Sequence, residues 1–131
     1  MKVITGRRLL LMTELNDVLE KYKNLEISKG ELLKLVNKDL MTLKVQKPVE
    51  ICTNDVIALL ENYKQGKLTN QDLLDWVNTI WFTDLYEYCD AQSDSIASVM
   101  NELEEVDEDI GKISSSNIEK YIEALEKNIE I

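Results

Sequence analysis

Apolar residues return every three or four positions along almost the whole chain, and this spacing constrains the fold more than any other feature. Side chains three, four and seven residues apart share one face of an α-helix. Alternation of apolar and polar residues, which is typical of a half-buried strand, is nearly absent. The clearest stripes run over residues 11–25, 32–43, 56–63, 96–106 and 118–129. The pattern therefore predicts an all-α fold.

Short polar motifs predict where the helices begin and end. A Ser or Thr followed three residues later by an acidic residue can cap the first turn of a helix, and a Gly often follows its last turn. The capping boxes pair Ser28 with Glu31 and Thr69 with Asp72. The predicted helix-ending glycines are Gly66 and Gly111, and the last helix is expected to start at Ser114 or Ser115.

The single proline marks a connector between helices. Pro48 disfavours a helical conformation at Lys47, so residues 44–52 are predicted to be extended. A short strand could form there, but the sequence offers it no evident partner strand. We predict one domain, residues 1–131, folded as a bundle of about six helices with this connector. The predicted helices cover residues 5–24, 28–43, 53–65, 69–90, 94–108 and 115–130.

The fourth helix is expected to break or bend around residues 82–84. On an unbroken helix, Asp84 would fall within the buried stripe that includes Trp76 and Tyr88. Burying an unpaired carboxylate would cost on the order of several kcal/mol. Asp84 with Glu87 three residues later would instead cap a new helix start.

The net charge of −10 is confined to one third of the chain. Residues 68–111 hold twelve acidic residues and no basic ones. Such a field repels nucleic acid and anionic membranes and favours basic protein partners. The alternative is that acidic helices only improve solubility. We predict a protein partner, no nucleic acid and no membrane, and we make no prediction of the oligomeric state.

The residues that common catalytic mechanisms need are missing. The chain has no histidine, and its four glycines form no phosphate-binding loop. The acidic run near Gly111 does not match the ligand spacing of an EF-hand. We therefore predict no enzymatic activity, no metal site and no cofactor. An enzyme that uses carboxylates alone is the least favoured alternative.

The cysteines and the apolar runs bear on the cellular compartment. Cys52 and Cys89 are far apart and lack a metal-binding motif, so two buried free thiols are favoured over a disulfide. The longest apolar run is too short to cross a bilayer, and the N-terminus lacks the features of a signal peptide. These features predict a cytoplasmic protein.

Aromatic residues near the start of the acidic third are candidate contacts for a partner. Helical spacing places Trp76, Ile80 and Trp81 in the core. Phe82 and Tyr86 fall together on the polar side of the same helix. An aromatic pair flanked by carboxylates resembles the centre of a protein interface with its charged rim. The alternative is that another helix covers the pair.

The segments "NDVIALLENYKQGKLTNQDLLDWVNTIWF" and "SIASVMNELEEVDED" carry a family resemblance. Over residues 54–109 the chain resembles small helical bacterial immunity proteins that accompany polymorphic toxins, in contact-dependent growth inhibition systems or with nuclease bacteriocins. The resemblance implies a cytoplasmic, non-enzymatic protein that binds one cognate toxin and blocks its active site or substrate groove. It does not extend to residues 1–50, whose role we do not predict.

The favoured hypothesis is therefore an immunity protein for a basic toxin, and a nuclease is the favoured class of toxin. The alternative is a helical adaptor or regulatory subunit that docks on a basic partner unrelated to any toxin. The two differ because an inhibitor must abolish an activity as well as bind. The predicted partner-binding residues are Asp75, Phe82, Tyr86, Asp90, Glu102, Glu104, Glu105, Asp107, Glu108 and Asp109.

Overall fold

A computed structural model describes residues 12–106 and 112–131, and the chain is predominantly helical there. This confirms the predicted all-α class. The helices are α1 (Met12–Lys23), α2 (Lys29–Val36), α3 (Thr53–Lys64), α4 (Asn70–Phe82), α5 (Ser93–Leu103) and α6 (Ser115–Lys127), with strands β1 (Val49–Ile51) and β2 (Tyr86–Tyr88) and a 3-10 turn at Asp90–Gln92. Residues 5–11 and 107–108 of the predicted helices, and the predicted stop at Gly111, lie outside the described residues.

The predicted capping boxes are present at two helix starts. The Ser28 hydroxyl accepts a 3.1 Å hydrogen bond from the Glu31 N–H, and the Ser28 N–H donates a 3.0 Å bond to the Glu31 carboxylate. Thr69 and Asp72 make the same reciprocal pair, at 3.0 and 2.9 Å. Each box satisfies backbone N–H groups that the first helical turn leaves unpaired.

Two further predicted helix boundaries are present, whereas the end of α2 is not where it was predicted. Gly66 adopts a φ of 80° after α3, which favours glycine, as expected. Ser114 caps α6, since its hydroxyl accepts a 3.1 Å hydrogen bond from Asn117. By contrast α2 ends at Val36, not at residue 43, because Asn37 turns into the left-handed region with a φ of 56°.

The connector is non-helical as predicted but bends at Gln46 and Lys47, and its strand has a partner after all. β1 and β2 pair in parallel, with Val49 opposite Tyr86 and Ile51 opposite Tyr88. The Cys89 N–H donates a 2.8 Å hydrogen bond to the Ile51 carbonyl and extends the ladder by one step. The second strand lies within residues 69–90, where one helix was predicted, so that part of the prediction is wrong.

The predicted break after α4 is confirmed, but no helix restarts at Asp84. α4 ends at Phe82, and the Thr83 hydroxyl donates a 2.7 Å hydrogen bond back to the Thr79 carbonyl. Asp84 is exposed and forms an ion pair with Lys44 instead of capping a helix. The chain extends here because the edge of β1 provides hydrogen-bonding partners for it.

The core lies between the helices and the inner side of the two strands. α3 packs against α6, α1 packs against α2 and β1, and α5 packs against α4 and α6. Trp76 is almost fully buried, and its indole N–H donates a 3.1 Å hydrogen bond to the Lys23 carbonyl at the end of α1. This contact holds the middle of α4 against the end of α1, and the candidate site begins at the C-terminal end of α4.

Candidate protein-binding face

Phe82 is the most exposed aromatic side chain at the end of α4. It is 51% exposed and borders a groove of about 450 Å³ between α4, α2 and the turn that follows α2. We call this feature the apolar groove. Its lining residues are Lys29, Leu33, Asp39, Leu40, Met41, Asn78, Thr79, Phe82 and Thr83. Helical spacing correctly placed Phe82 on the solvent side of α4, whereas its role in binding stays a prediction.

The turn after α2 forms the second wall of the groove. The Asp39 carboxylate accepts a 3.0 Å hydrogen bond from the Met41 N–H, which holds the turn closed. Leu40 then packs into the core, and Met41 is left 57% exposed beside the groove. Leu33 on α2 is also 46% exposed. Three large apolar side chains therefore surround one depression, and the early end of α2 creates it.

Tyr86 does not belong to this surface, which contradicts the predicted pairing with Phe82. The pairing required α4 to continue past Phe82, but Tyr86 lies in β2 and is 6% exposed. Its hydroxyl donates a 2.6 Å hydrogen bond to the Leu19 carbonyl in α1. Burial raises the pKa of Tyr86, and nearby Tyr22 and Glu20 add to the rise. Tyr86 is a core residue.

Trp81 contacts Phe82, and Tyr88 contacts Trp81 on its other side. The Trp81 ring is 6.4 Å from the Phe82 ring and meets Tyr88 edge-on at 6.3 Å between centroids. Trp81 and Tyr88 are half-buried, although helical spacing predicted both for the core. The signal available in the sequence was chemical, because Trp and Tyr often keep one edge at the surface. We call Phe82, Trp81 and Tyr88 the aromatic row.

Carboxylates at the C-terminal end of α5 act electrostatically on Tyr88 in this row and on Tyr121 in α6. Burial raises the pKa of Tyr88, and the negative charge of Glu104 raises it further. Tyr121 on α6 behaves in the same way beside Glu102 and Glu105. The negative charge of Glu104 therefore acts on Tyr88, and the charges of Glu102 and Glu105 act on Tyr121. We call the three carboxylates the acidic end of α5.

These carboxylates are placed where a helix disfavours them. The C-terminal end of a helix carries a partial negative charge, so each acid there is unfavourable by roughly 0.3–1 kcal/mol. The last turn of α5 has no basic residue. Within residues 12–106 and 112–131, none of Asp90, Glu102, Glu104 and Glu105 forms an ion pair. A concentration of unpaired charge remains at this end of the molecule.

The other predicted acids divide into three groups. Asp75 is half-buried and accepts a 2.8 Å hydrogen bond from Gln71, so its carboxylate is partly satisfied within α4. Asp90 is exposed in the 3-10 turn. The predicted residues Asp107, Glu108 and Asp109 lie outside the described residues.

The cysteines form a disulfide, so the prediction of two buried free thiols is wrong. Cys52 and Cys89 are bonded across a Cα–Cα distance of 5.2 Å, and both are half-buried. Cys52 follows β1 and Cys89 follows β2, so the parallel strands bring the two residues together. Their separation of 37 residues along the chain concealed this proximity, because the strand pairing itself was not predicted.

Comparison with known proteins identifies no relative. No protein-family model, curated protein or solved structure matches the chain. Among the described residues, no helix combines the length and apolar character needed to cross a bilayer.

Proposed function

We propose that this protein is an immunity protein that binds and neutralises a basic toxin by covering its active site or substrate groove. A nuclease is the favoured class of toxin. The observation that carries the proposal is the negative charge at the acidic end of α5, which forms no ion pair within the described residues, together with the exposed side chains that border the apolar groove. Charge and apolar surface together are what a tight protein–protein contact uses.

The charge supports a basic partner. Nucleases hold phosphates on a positively charged surface, so an acidic protein can occupy the same surface. Glu102, Glu104 and Glu105 tolerate an unfavourable helix position in the free protein, and a basic partner would remove that penalty. The charge would also speed association by long-range attraction.

The apolar groove supports a slow dissociation. Phe82, Leu33 and Met41 each expose about half of their side chain, which leaves apolar area for a partner to bury. Buried aromatic contacts at the centre of an interface account for much of its affinity. The aromatic row runs from Phe82 through Trp81 to Tyr88, on which the negative charge of Glu104 acts.

The proposal includes action in the cytoplasm, as expected for inhibitors of this class, without contact to nucleic acid or membrane. The Cys52–Cys89 disulfide is a feature that oxidising compartments favour. Alkylation of free thiols in rapidly lysed cells, followed by mass spectrometry, measures how much of the pair is oxidised in place. A fully oxidised pair in the native host would argue against a cytoplasmic site of action.

The test is affinity capture of the tagged chain from its native host, with mass spectrometry of the proteins that co-purify in stoichiometric amounts. We expect a basic fragment of a larger secreted protein that is toxic when expressed alone and loses its activity on adding one equivalent of this chain. A partner whose activity is unchanged by binding would instead support the adaptor hypothesis.

A matched pair of charge variants tests whether the acidic end of α5 is used. Replacing Glu102, Glu104 and Glu105 together by Gln should abolish capture and inhibition. The control replaces three exposed carboxylates of α6 by Gln and changes the net charge equally; they are Glu119, Glu123 and Glu126. Equal loss in both variants would assign the effect to net charge alone and contradict this surface.

A further inference from the structure

The outer side of the two-stranded sheet carries a second cluster of reactive side chains. Val49 and Ile51 of β1 face the core, and Glu50 between them is exposed. Glu50 is the register partner of Glu87, which is exposed on β2. Cys52 follows the last residue of β1 and Cys89 follows the last residue of β2. The ligand atoms of Glu50, Cys52 and Cys89 all lie within 4.8 Å of one another.

We propose that, when the disulfide is reduced, Cys52, Cys89 and Glu50 form a binding site for a thiophilic divalent cation such as Zn²⁺. The proposal does not rest on the immunity function. It concerns a different set of side chains and would hold for any role of the acidic end of α5.

The distances fit a tetrahedral site after small side-chain rotations. In such a site the Zn–S bonds are about 2.3 Å and the Zn–O bonds about 2.0–2.2 Å, so neighbouring ligand atoms lie roughly 3.5–3.8 Å apart. The Cys52 Sγ lies 3.8 Å from a Glu50 carboxylate oxygen. Two thiolates and one carboxylate are a ligand set that Zn²⁺ accepts, and water or Glu87 could complete it.

The backbone holds the two cysteines in place independently of their disulfide. The Cys52 N–H donates a 2.8 Å hydrogen bond to the Asp55 carboxylate, and the Cys89 N–H donates to Ile51 in the sheet ladder. The two residues should therefore stay adjacent after reduction. A preorganised pair loses less conformational freedom on binding a cation than a flexible one.

The local charges favour a cation. Glu50 and Glu87 face each other directly across the strands, and like charges in that position destabilise a sheet. A bound divalent cation would offset their repulsion. Lys47 lines a groove with Glu50 and Glu87, and its positive charge opposes a cation there.

The chemistry balances with a thiol reductant. Two thiol equivalents reduce the Cys52–Cys89 bond to two Cys thiols and leave as a new disulfide. The cation then displaces up to two thiol protons and binds the two thiolates and the Glu50 carboxylate. Oxidation by a low-molecular-weight disulfide reverses both steps and releases the cation. The oxidation state of the pair would thus decide whether metal is bound.

The test is titration of the full-length chain with Co²⁺, whose bonds to thiolate sulfur are visible by absorption. In the reduced chain we expect one equivalent to give sulfur-to-cobalt charge-transfer bands and the visible bands of tetrahedral cobalt, both removed by Zn²⁺. The oxidised chain should give neither. Circular dichroism of both forms follows the helical content throughout.

Variants identify the ligands. Cys52→Ser should abolish the charge-transfer bands at one equivalent. Glu50→Gln should weaken cobalt binding by at least about tenfold, because replacing residues that only hydrogen-bond to metal ligands already lowers metal affinity 10–100-fold. Glu50 is exposed, so Glu50→Gln should fold normally. The control is Glu61→Gln, an exposed carboxylate on α3, with no expected effect.

Three results would overturn the proposal. The first is a reduced, folded chain that gives no thiolate–cobalt bands. The second is Co²⁺ binding that Cys52→Ser or Glu50→Gln leaves unchanged. The third is a chain that unfolds on reduction and regains no helical signal when the cation is added.

Discussion

The Tyr86 hydroxyl donates a 2.6 Å hydrogen bond to the backbone carbonyl of Leu19, and this contact ties β2 to α1 inside the core. Tyr86 and Leu19 are 67 residues apart in the chain. Both side chains are buried, at 6% and 0% exposure. The bond gives the Tyr86 hydroxyl a partner inside the core, although the neighbouring residue Glu87 is exposed.

Tyr86→Phe should lower the free energy of unfolding by about 1 kcal/mol, because it removes one buried hydrogen bond and leaves the ring packing intact. Urea denaturation with the disulfide intact measures the change. Tyr121→Phe is the control, since Tyr121 is only half-buried and its change should be within about 0.5 kcal/mol. Binding of a captured partner should be unaffected by Tyr86→Phe.

Two buried tyrosines and one half-buried tyrosine should make the fold sensitive to alkali. Burial raises the pKa of Tyr22, Tyr86 and Tyr88 above the ordinary value of about 10. Above pH ~10 the unfolded chain therefore loses protons that the folded chain keeps. The contribution of these tyrosines to the free energy of unfolding is fully present below this pH and is lost as the pH rises toward their raised pKa values. Denaturation at several alkaline pH values should show this loss, with a smaller slope for Tyr86→Phe.

Asp84→Ala should change the free energy of unfolding by less than about 0.5 kcal/mol. Asp84 pairs with Lys44 on the surface, where both side chains are mostly exposed, and such pairs contribute little. A helix cap at Asp84 would instead give a loss of about 1 kcal/mol. Thr69→Ala, at a cap that is present, should lose about 1 kcal/mol and provides the comparison.

Phe82→Ala should weaken binding to the captured partner by about 2 kcal/mol or more, the loss typical of a central interface residue. Isothermal titration calorimetry measures the change in affinity. Leu35→Ala is the matched control, because Leu35 is 47% exposed on α2 but does not line the apolar groove. Unchanged affinity for a folded Phe82→Ala protein would remove the groove from the interface.

Raising the salt concentration should slow association with the partner more than it speeds dissociation. Salt screens the long-range attraction from the acidic end of α5, whereas the apolar contacts at Phe82 are not charged. Stopped-flow association and surface-based dissociation rates separate the two effects. An association rate that does not depend on salt would contradict the proposed role of the charge.

Local signals in the sequence predicted the local features of the fold. Thr69 with Asp72 and Ser28 with Glu31 cap helices as expected, because a capping box involves only residues three apart. The break after Phe82 followed from the cost of burying Asp84.

Features that depend on distant contacts were not predictable in this way. A strand of three residues has too little alternation to detect, and the partner of β2 lies 37 residues earlier. The disulfide depends on that pairing and was missed with it. Tyr86 was misplaced for a different reason. The prediction continued the helical spacing from Phe82 to Tyr86, across the break that the cost of burying Asp84 had already indicated. Phe82, which lies before the break, was placed correctly on the solvent side.

The Cys52–Cys89 bond turns residues 52–89 into a covalent ring that contains all of α3 and α4. A protease that cuts once inside this ring leaves the oxidised protein as one molecule of unchanged mass apart from added water. The same cut releases two separate chains once the bond is reduced. Phe82 lies inside the ring, whereas Leu33 and Met41 lie outside it. The two walls of the apolar groove therefore belong to topologically distinct parts of the chain.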